Sequence, residues 1–211
     1  MRFFGKAQVI DPWTSRYPLE HAEHLLRMST QSPEPSERLR RLQDAETQFE
    51  RTVECSPWLG YAWLRLGEVA WKLGHVEDAV SALRQAVTRD PNSSQALLEL
   101  AHALNATQRY SEALPISHLL QSRDPGNPHA WFLEALAWEG LKQSPRAIEV
   151  YQELLQRFPD FYPAAFNLAQ LFEAQGNRAK AVRMYQTFVK IAPAADPTRA
   201  TALRWLEKEM P

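Results

Sequence analysis

Small and apolar residues in this chain fall into columns that return every 34 positions. Ala79, Ala113, Ala147 and Ala181 form one column, and Pro91, Pro125, Pro159 and Pro193 form another. Taking Gly60, Ser94, Pro128 and Tyr162 as first positions, the fourth reads Trp63, Leu97, Trp131, Ala165 and the seventh Leu66, Leu100, Glu134, Leu168. The eighth reads Gly67, Ala101, Ala135, Ala169 and the eleventh Ala70, Leu104, Trp138, Phe172. Spacings of three and four return to one face of a helix, so these positions predict an amphipathic first helix. The alanine column at position twenty, with Leu83, Ser117, Tyr151 and Tyr185 at twenty-four, predicts a second. Neither helix can bury its apolar stripe alone, and a period of this length marks a helix–turn–helix unit that is copied and stacked.

Local residues punctuate each unit. Proline lacks an N–H and disfavours helix at the residue before it, so the proline column ends each second helix. Gly74 and Gly176-Asn177 can take the left-handed conformation that closes a first helix. Ser144 reads as an N-cap with Pro145 at the first helical position. Pro115, four residues after the expected cap Ser111, predicts a slight distortion of its helix and no break. Gly or Ala at eight and Ala at twenty allow the paired helices to approach closely.

These columns resemble the tetratricopeptide repeat family, whose pattern is W-x2-L-G-x2-Y, then A-x3-F, then P. The first full copy carries Trp63-x2-Leu66-Gly67, Ala79-x3-Leu83 and Pro91. The resemblance runs from about residue 60 to 193 and implies an all-α helix–turn–helix repeat solenoid, a right-handed superhelix. Three departures stand out. Position twenty-seven, usually small, reads Ala86, Leu120, Leu154, Phe188; Glu134 replaces an apolar seventh residue; and Ser117 replaces an aromatic at twenty-four.

The domain organisation expected from this reading is an N-terminal extension (1–17), a degenerate helix pair (18–57), a repeat region (58–193) of four copies with the register 60–93, 94–127, 128–161 and 162–195, and a C-terminal capping helix (196–211). Ala45-x3-Phe49 and Pro57 fall in register with the columns, so residues 36–55 read as a second helix. Its partner is placed around Pro18 to Met28, with a Ser- and Pro-rich loop from Ser29 to Ser36. Asp196-Pro197-Thr198 opens the last helix, with Ala202, Leu203, Leu206 and Met210 on one face and Arg199, Arg204, Glu207 and Lys208 mostly on the other. Phe3, Phe4, Val9, Ile10 and Trp13 of the extension lack helical periodicity.

Charge adds little bias. The 24 basic and 25 acidic residues nearly cancel, so no global field draws the chain to nucleic acid or anionic lipid. Arg38, Arg40 and Arg41 are clustered but flanked by Glu37 and Asp44, as on a salt-bridged solvated face. The single Cys55 excludes a disulfide within the chain. No signal-like run follows Arg2 and Lys6, and the apolar region 58–74 is interrupted by Arg65, Glu68 and Lys72. The expectation is a cytoplasmic protein with no direct membrane insertion.

In repeats of this family, positions two, five, nine and twelve of the first helix line the concave face, where a partner's peptide commonly lies. The resemblance therefore implies a binding face of Tyr61, Leu64, Glu68, Trp71, Gln95, Leu98, His102, Asn105, His129, Phe132, Leu136, Glu139, Phe166, Gln170 and Glu173. Leu64, Leu98, Phe132 and Phe166 have a second reading, as packing between adjacent repeats. The N-terminal segment, or a second copy of the chain, is a third candidate for the groove. The cationic clamp of chaperone-adaptor relatives is missing: its slots hold Leu64 with Glu68, Leu98 with His102, His129 with Leu133, and Pro163 with Asn167. The expected function is a protein–protein interaction scaffold that takes a partner segment in this groove. The alternative is an assembly factor using its convex face or ends, including self-association through Trp205 or the N-terminal aromatics.

Other chemistry has weaker support. His21 and His24, beside Glu20 and Glu23, lie three apart on a helix, but no third ligand spacing follows. His102 and His129 have no Ser, Cys or carboxylate pattern suited to catalysis beside them. The expectation is no enzyme activity, no cofactor or metal, no nucleic-acid partner, a protein or peptide partner and a possible homo-oligomer.

Overall fold

The computed structural model describes residues 13–209, and among these it contains α-helices and no strand. The helices are α1 (Trp13–Gln31), α2 (Pro35–Cys55), α3 (Gly60–Leu73), α4 (Val76–Arg89), α5 (Ser94–Ala106), α6 (Tyr110–Arg123), α7 (Pro128–Gly140), α8 (Ser144–Arg157), α9 (Tyr162–Ala174), α10 (Arg178–Ile191) and α11 (Pro197–Glu209). Phe3, Phe4, Val9, Ile10 and Met210 lie outside the described residues, as does the side chain of Trp13. The chain forms two compact units, one up to Ala103 and one from Leu104.

The proline column acts through the residue before it. Asp90, Asp124 and Phe158 follow their helices with φ near −134°, −137° and −132° and ψ near 83°, 74° and 75°. These are the non-helical angles that a following proline ring enforces. Ser56, before Pro57, has the same geometry (φ −135°, ψ 70°), which places α2 in the same register.

The turn inside each hairpin is equally uniform. Position fifteen is left-handed in every copy: Gly74 (φ 81°), Gln108 (φ 60°), Lys142 (φ 61°) and Gly176 (φ 71°). Each turn carries the same two bonds, as in His75 N to Ala70 O at 2.9 Å and Gly74 N to Trp71 O at 3.1 Å. That pair is the Schellman closure, which satisfies carbonyls otherwise orphaned at a helix end.

Because the turn has a fixed length, it also sets where the next helix starts. The capping residues are therefore Arg109 and Gln143, each one after the left-handed residue. The caps expected at Ser111 and Ser144 are instead inside their helices, and Pro145 is one residue further in than expected. Pro115 is accommodated within α6, which continues to Arg123. At the N-terminus, α1 begins five residues upstream of Pro18 and runs through it to Gln31. The expected loop from Ser29 is thereby shortened to residues 32–34.

In the N-terminal unit, Ala22, Leu26, Ala45 and Phe49 of the α1–α2 pair share one core with Ala62, Leu66 and Val69 of α3. Gly67 lets α3 lie directly on α4: a Cβ there would stand 2.7 Å from Leu83 Cγ. In the C-terminal unit, Ala135, Ala147, Tyr151, Leu154 and Leu168 centre one cluster, and Ala169, Tyr185, Phe188 and Ala202 another. Glu134, the carboxylate in an apolar column, is 8% exposed. Its oxygens lie 2.9 Å from His118 Nε2 and accept from Gln121 Nε2 (2.6 Å) and Trp138 Nε1 (3.1 Å), the hydrogen-bond partners a buried polar group requires. On α11, Ala202 and Leu206 are buried, whereas Leu203 is exposed. Arg199 is not a free surface charge, since its guanidinium donates to Val189 O and, at 3.0 Å, to Ala192 O.

Candidate functional site

The first-helix face of the N-terminal unit is built on a charged network that α1 and α3 share. Glu23 accepts from Arg65 Nε at 2.9 Å and from the Tyr61 hydroxyl at 2.8 Å, and Arg65 also bonds Glu68. Burial works against ionisation of Glu23, but the Arg65 and Tyr61 hydrogen bonds outweigh it and hold the carboxyl below its ordinary range. Burial, with Glu99 adding to it, pushes the Glu68 carboxyl up against the pull of Arg65.

Beside this network, Glu68, Trp71, Lys72, Glu99 and His102 line a cavity of 240 Å³. The Trp71 and His102 rings meet edge to face, with centroids 5.8 Å apart. Leu64 is buried and Leu98 half-buried, so they pack more than they line. Gln95 is exposed and donates to Glu99 at 2.6 Å. Reading positions two, five, nine and twelve alone passes over Arg65 and Glu99 at position six and Lys72 at thirteen. Their spacing of three or four from Glu68 and His102 was the available signal.

In the C-terminal unit the same positions are largely engaged in holding the repeats together. Asn105 is buried, and its Nδ2 donates to Leu133 O at 3.1 Å. Phe132 is half-buried against Phe161 (5.4 Å) and Tyr151 (6.0 Å). Phe166 lies between Phe188 (5.0 Å) and Tyr185 (5.9 Å). His129 stands edge-on to Phe161, Leu136 is half-buried and Gln170 is exposed.

Both position-twelve carboxylates meet the position-twenty-four tyrosine of their own hairpin. Glu139 accepts from Tyr151 at 3.2 Å and Glu173 from Tyr185 at 2.8 Å. Burial raises the Tyr151 and Tyr185 phenols far above their usual range, keeping both as donors. It also raises the Glu139 carboxyl, against the Tyr151 hydrogen bond. Glu173 accepts a second bond from Trp205 Nε1 at 2.8 Å. Trp205 is therefore half-buried against Tyr185 (4.6 Å) and is not the exposed ring expected for self-association.

Residues considered for other chemistry have local partners. His21 stacks near Tyr17 at 6.0 Å, while neighbouring Glu23 is taken by Arg65 and Tyr61. Arg41 pairs with Glu37 at 2.5 Å, and Arg38 donates to Ser32 O. Cys55 ends α2, half-buried, with a free thiol. Among the described residues no helix is long and apolar enough to cross a membrane, and no three His, Cys, Asp or Glu side chains form a metal-binding group.

Two family models described as tetratricopeptide repeat match the sequence, one over residues 64–117 and 118–160 and the other over 141–206. No curated protein sequence matches this chain. Among solved structures, MamA residues 41 to the end from Desulfovibrio magneticus RS-1 superposes with a TM-score of 0.75 at 16% identity, covering 89% of this chain and 99% of that one. TTC0263, a thermophilic tetratricopeptide protein from Thermus thermophilus, gives 0.65 at 22% identity, covering 88% and 99%. YrrB, described as a tetratricopeptide protein with an unusual peptide-binding site, gives 0.67 at 15% identity, covering 96% and 100%. At these identities the likeness is one of fold. The matched models span 64–206, more than half of the 211 residues, and coincide with the helical hairpins and their shared turn geometry; the chain belongs to the tetratricopeptide repeat family.

Proposed function

We propose that this chain is a protein-interaction scaffold that takes a segment of a partner protein on its first-helix face, anchored at the cavity around Trp71. One observation carries the reading: Glu68, Trp71 and His102, at positions nine, twelve and nine of two successive repeats, open onto one cavity. An aromatic ring beside carboxylates and an imidazole is the mixed apolar and polar lining that peptide sites use. The peptide-binding site named for YrrB supports such a use of the fold. Phe132 and Phe166, which the family pattern also assigns to a binding face, pack against Tyr151, Phe161, Tyr185 and Phe188 of the C-terminal unit and are not part of this anchor.

The test is quantitative affinity capture by the wild-type chain and by the Trp71→Ala and Glu68→Lys variants, each first checked for unchanged helical content. A protein bound by the wild type should be lost from both variants. Equal recovery on all three would refute the assignment.

A further inference from the structure

The C-terminal unit carries a second concavity, on the side formed by its second helices. α8 and α10 supply the walls and Phe172 of α9 lies at the base, enclosing 520 Å³. The two walls differ chemically. On α8, Gln152 and Gln156 are one turn apart, exposed, and form no side-chain hydrogen bond among the described residues. On α10, Lys180 and Arg183 are three apart and share a face.

Two other cations of this unit find carboxylates: Arg157 pairs with Glu153 at 2.8 Å and Arg178 with Glu209 at 2.6 Å. Arg183 has no such partner among the described residues, and Lys180 rests over the Phe172 ring at 5.2 Å. No carboxylate is among the residues lining the concavity. The repeat does not require this arrangement. The register positions of Lys180 and Arg183 read Asp78 and Ser81, Glu112 and Pro115, then Arg146 and Glu149 in the preceding copies. The paired cations belong to the last copy alone.

We propose that this groove docks an acidic amphipathic segment of a partner protein. Apolar side chains enter between the half-buried Leu155 and Met184, carboxylates meet Lys180 and Arg183, and the two glutamine amides pair with main-chain groups. Charge complementarity selects this occupant: the groove is cationic on one wall, neutral and hydrogen-bonding on the other, and apolar below. Two cations are too few for phosphate-driven nucleic-acid binding, which gains from many released counterions.

The test is fluorescence anisotropy with a short fluorescein-labelled peptide of amphipathic Glu/Leu pattern, its Lys-for-Glu counterpart and a labelled single-stranded oligonucleotide. The Glu/Leu peptide should bind the wild type and weaken by about tenfold or more in Lys180→Glu/Arg183→Glu, the loss of one to two charge-assisted contacts. Lys180→Gln/Arg183→Gln should show a smaller loss in the same direction. Trp71→Ala should leave this binding intact, which separates failure here from failure of the first-helix-face reading. The proposal is overturned if the Glu/Leu peptide does not bind, if it binds the charge-reversed variant equally, or if the Lys peptide or the oligonucleotide binds as well. Self-association in sedimentation that the charge reversal abolishes would assign the groove to a second copy, and would also overturn it.

Discussion

Replacing Gln108 by glycine should stabilise this protein, although the substitution removes a side chain and adds none. Gln108 holds φ 60° at the same register position where Gly74 and Gly176 hold 81° and 71°. A residue with a Cβ pays about 1–2 kcal/mol for that conformation. Glycine avoids this but loses about 0.5–1 kcal/mol more backbone entropy on folding. The difference is a net gain of about 0.5–1 kcal/mol by the same two principles. Among the described residues the exposed Gln108 side chain has no hydrogen bond to forfeit, and the turn bonds Gln108 N to Asn105 O and Arg109 N to Leu104 O are backbone only.

The reverse experiment is equally clean. A Cβ at Gly74 would meet nothing within 4 Å, so Gly74→Ala isolates backbone strain from steric clash. It should cost about as much as Gln108→Gly gains. Urea unfolding followed by far-ultraviolet circular dichroism reads both as shifts of the midpoint at constant slope. A Gln108→Ala variant controls for side-chain loss and should gain nothing. A destabilised Gln108→Gly, or a Gly74→Ala at wild-type stability, would show that the left-handed turn is not where the strain lies.

Two further outcomes follow from packing and charge. Gly67→Ala gains about 1 kcal/mol of helix propensity but should cost about 1–3 kcal/mol through overpacking, because its Cβ would sit 2.7 Å from Leu83 Cγ and Leu83 is only 2% exposed. Thermal unfolding should show a net loss that Leu83→Ala partly relieves in the double variant, and simple additivity would count against the clash. Glu23, whose folded carboxyl lies below its unfolded value, contributes stability above the ordinary glutamate range that fades as pH falls through its folded pKa. Glu23→Gln should therefore flatten the acid limb of the stability profile below about pH 4.5, and an unchanged acid limb would mean that the Arg65 pair adds nothing.

The hairpins were legible because each column is a geometric requirement met four times. Ala at position twenty, Pro at thirty-two and the apolar stripe of the first helix are each forced by close packing or by chain termination. The left-handed turn was only half legible. Gly74 and Gly176 announce it, whereas Gln108 and Lys142 carry the same conformation with no local signal. Their φ is imposed by the two helices that the turn must join. The same constraint explains why Ser111 and Ser144 were misleading as caps. Residue type favours them, but a turn of fixed length starts each second helix at Tyr110 and Ser144. The charged network of Glu23, Arg65 and Tyr61 was not legible, since it joins residues 38 and 42 apart that no repeat column relates.

The same columns indicate where a binding face can exist at all. Position twelve pairs with position twenty-four across a hairpin, and in the last two copies that pair is Glu139 with Tyr151 and Glu173 with Tyr185. There the position-twelve carboxylates are taken up by the fold. In the first copy position twenty-four is Leu83, which has no hydroxyl to offer, and position twelve is Trp71. Nothing in its own hairpin claims that ring's edge, so it meets His102 and borders an open cavity. A repeat that gives up an internal hydrogen bond gains a surface for another molecule. On the function proposed above, recognition on the first-helix face would concentrate in the N-terminal unit, while Lys180 and Arg183 of the last copy would give the C-terminal unit its own, chemically opposite, place to bind.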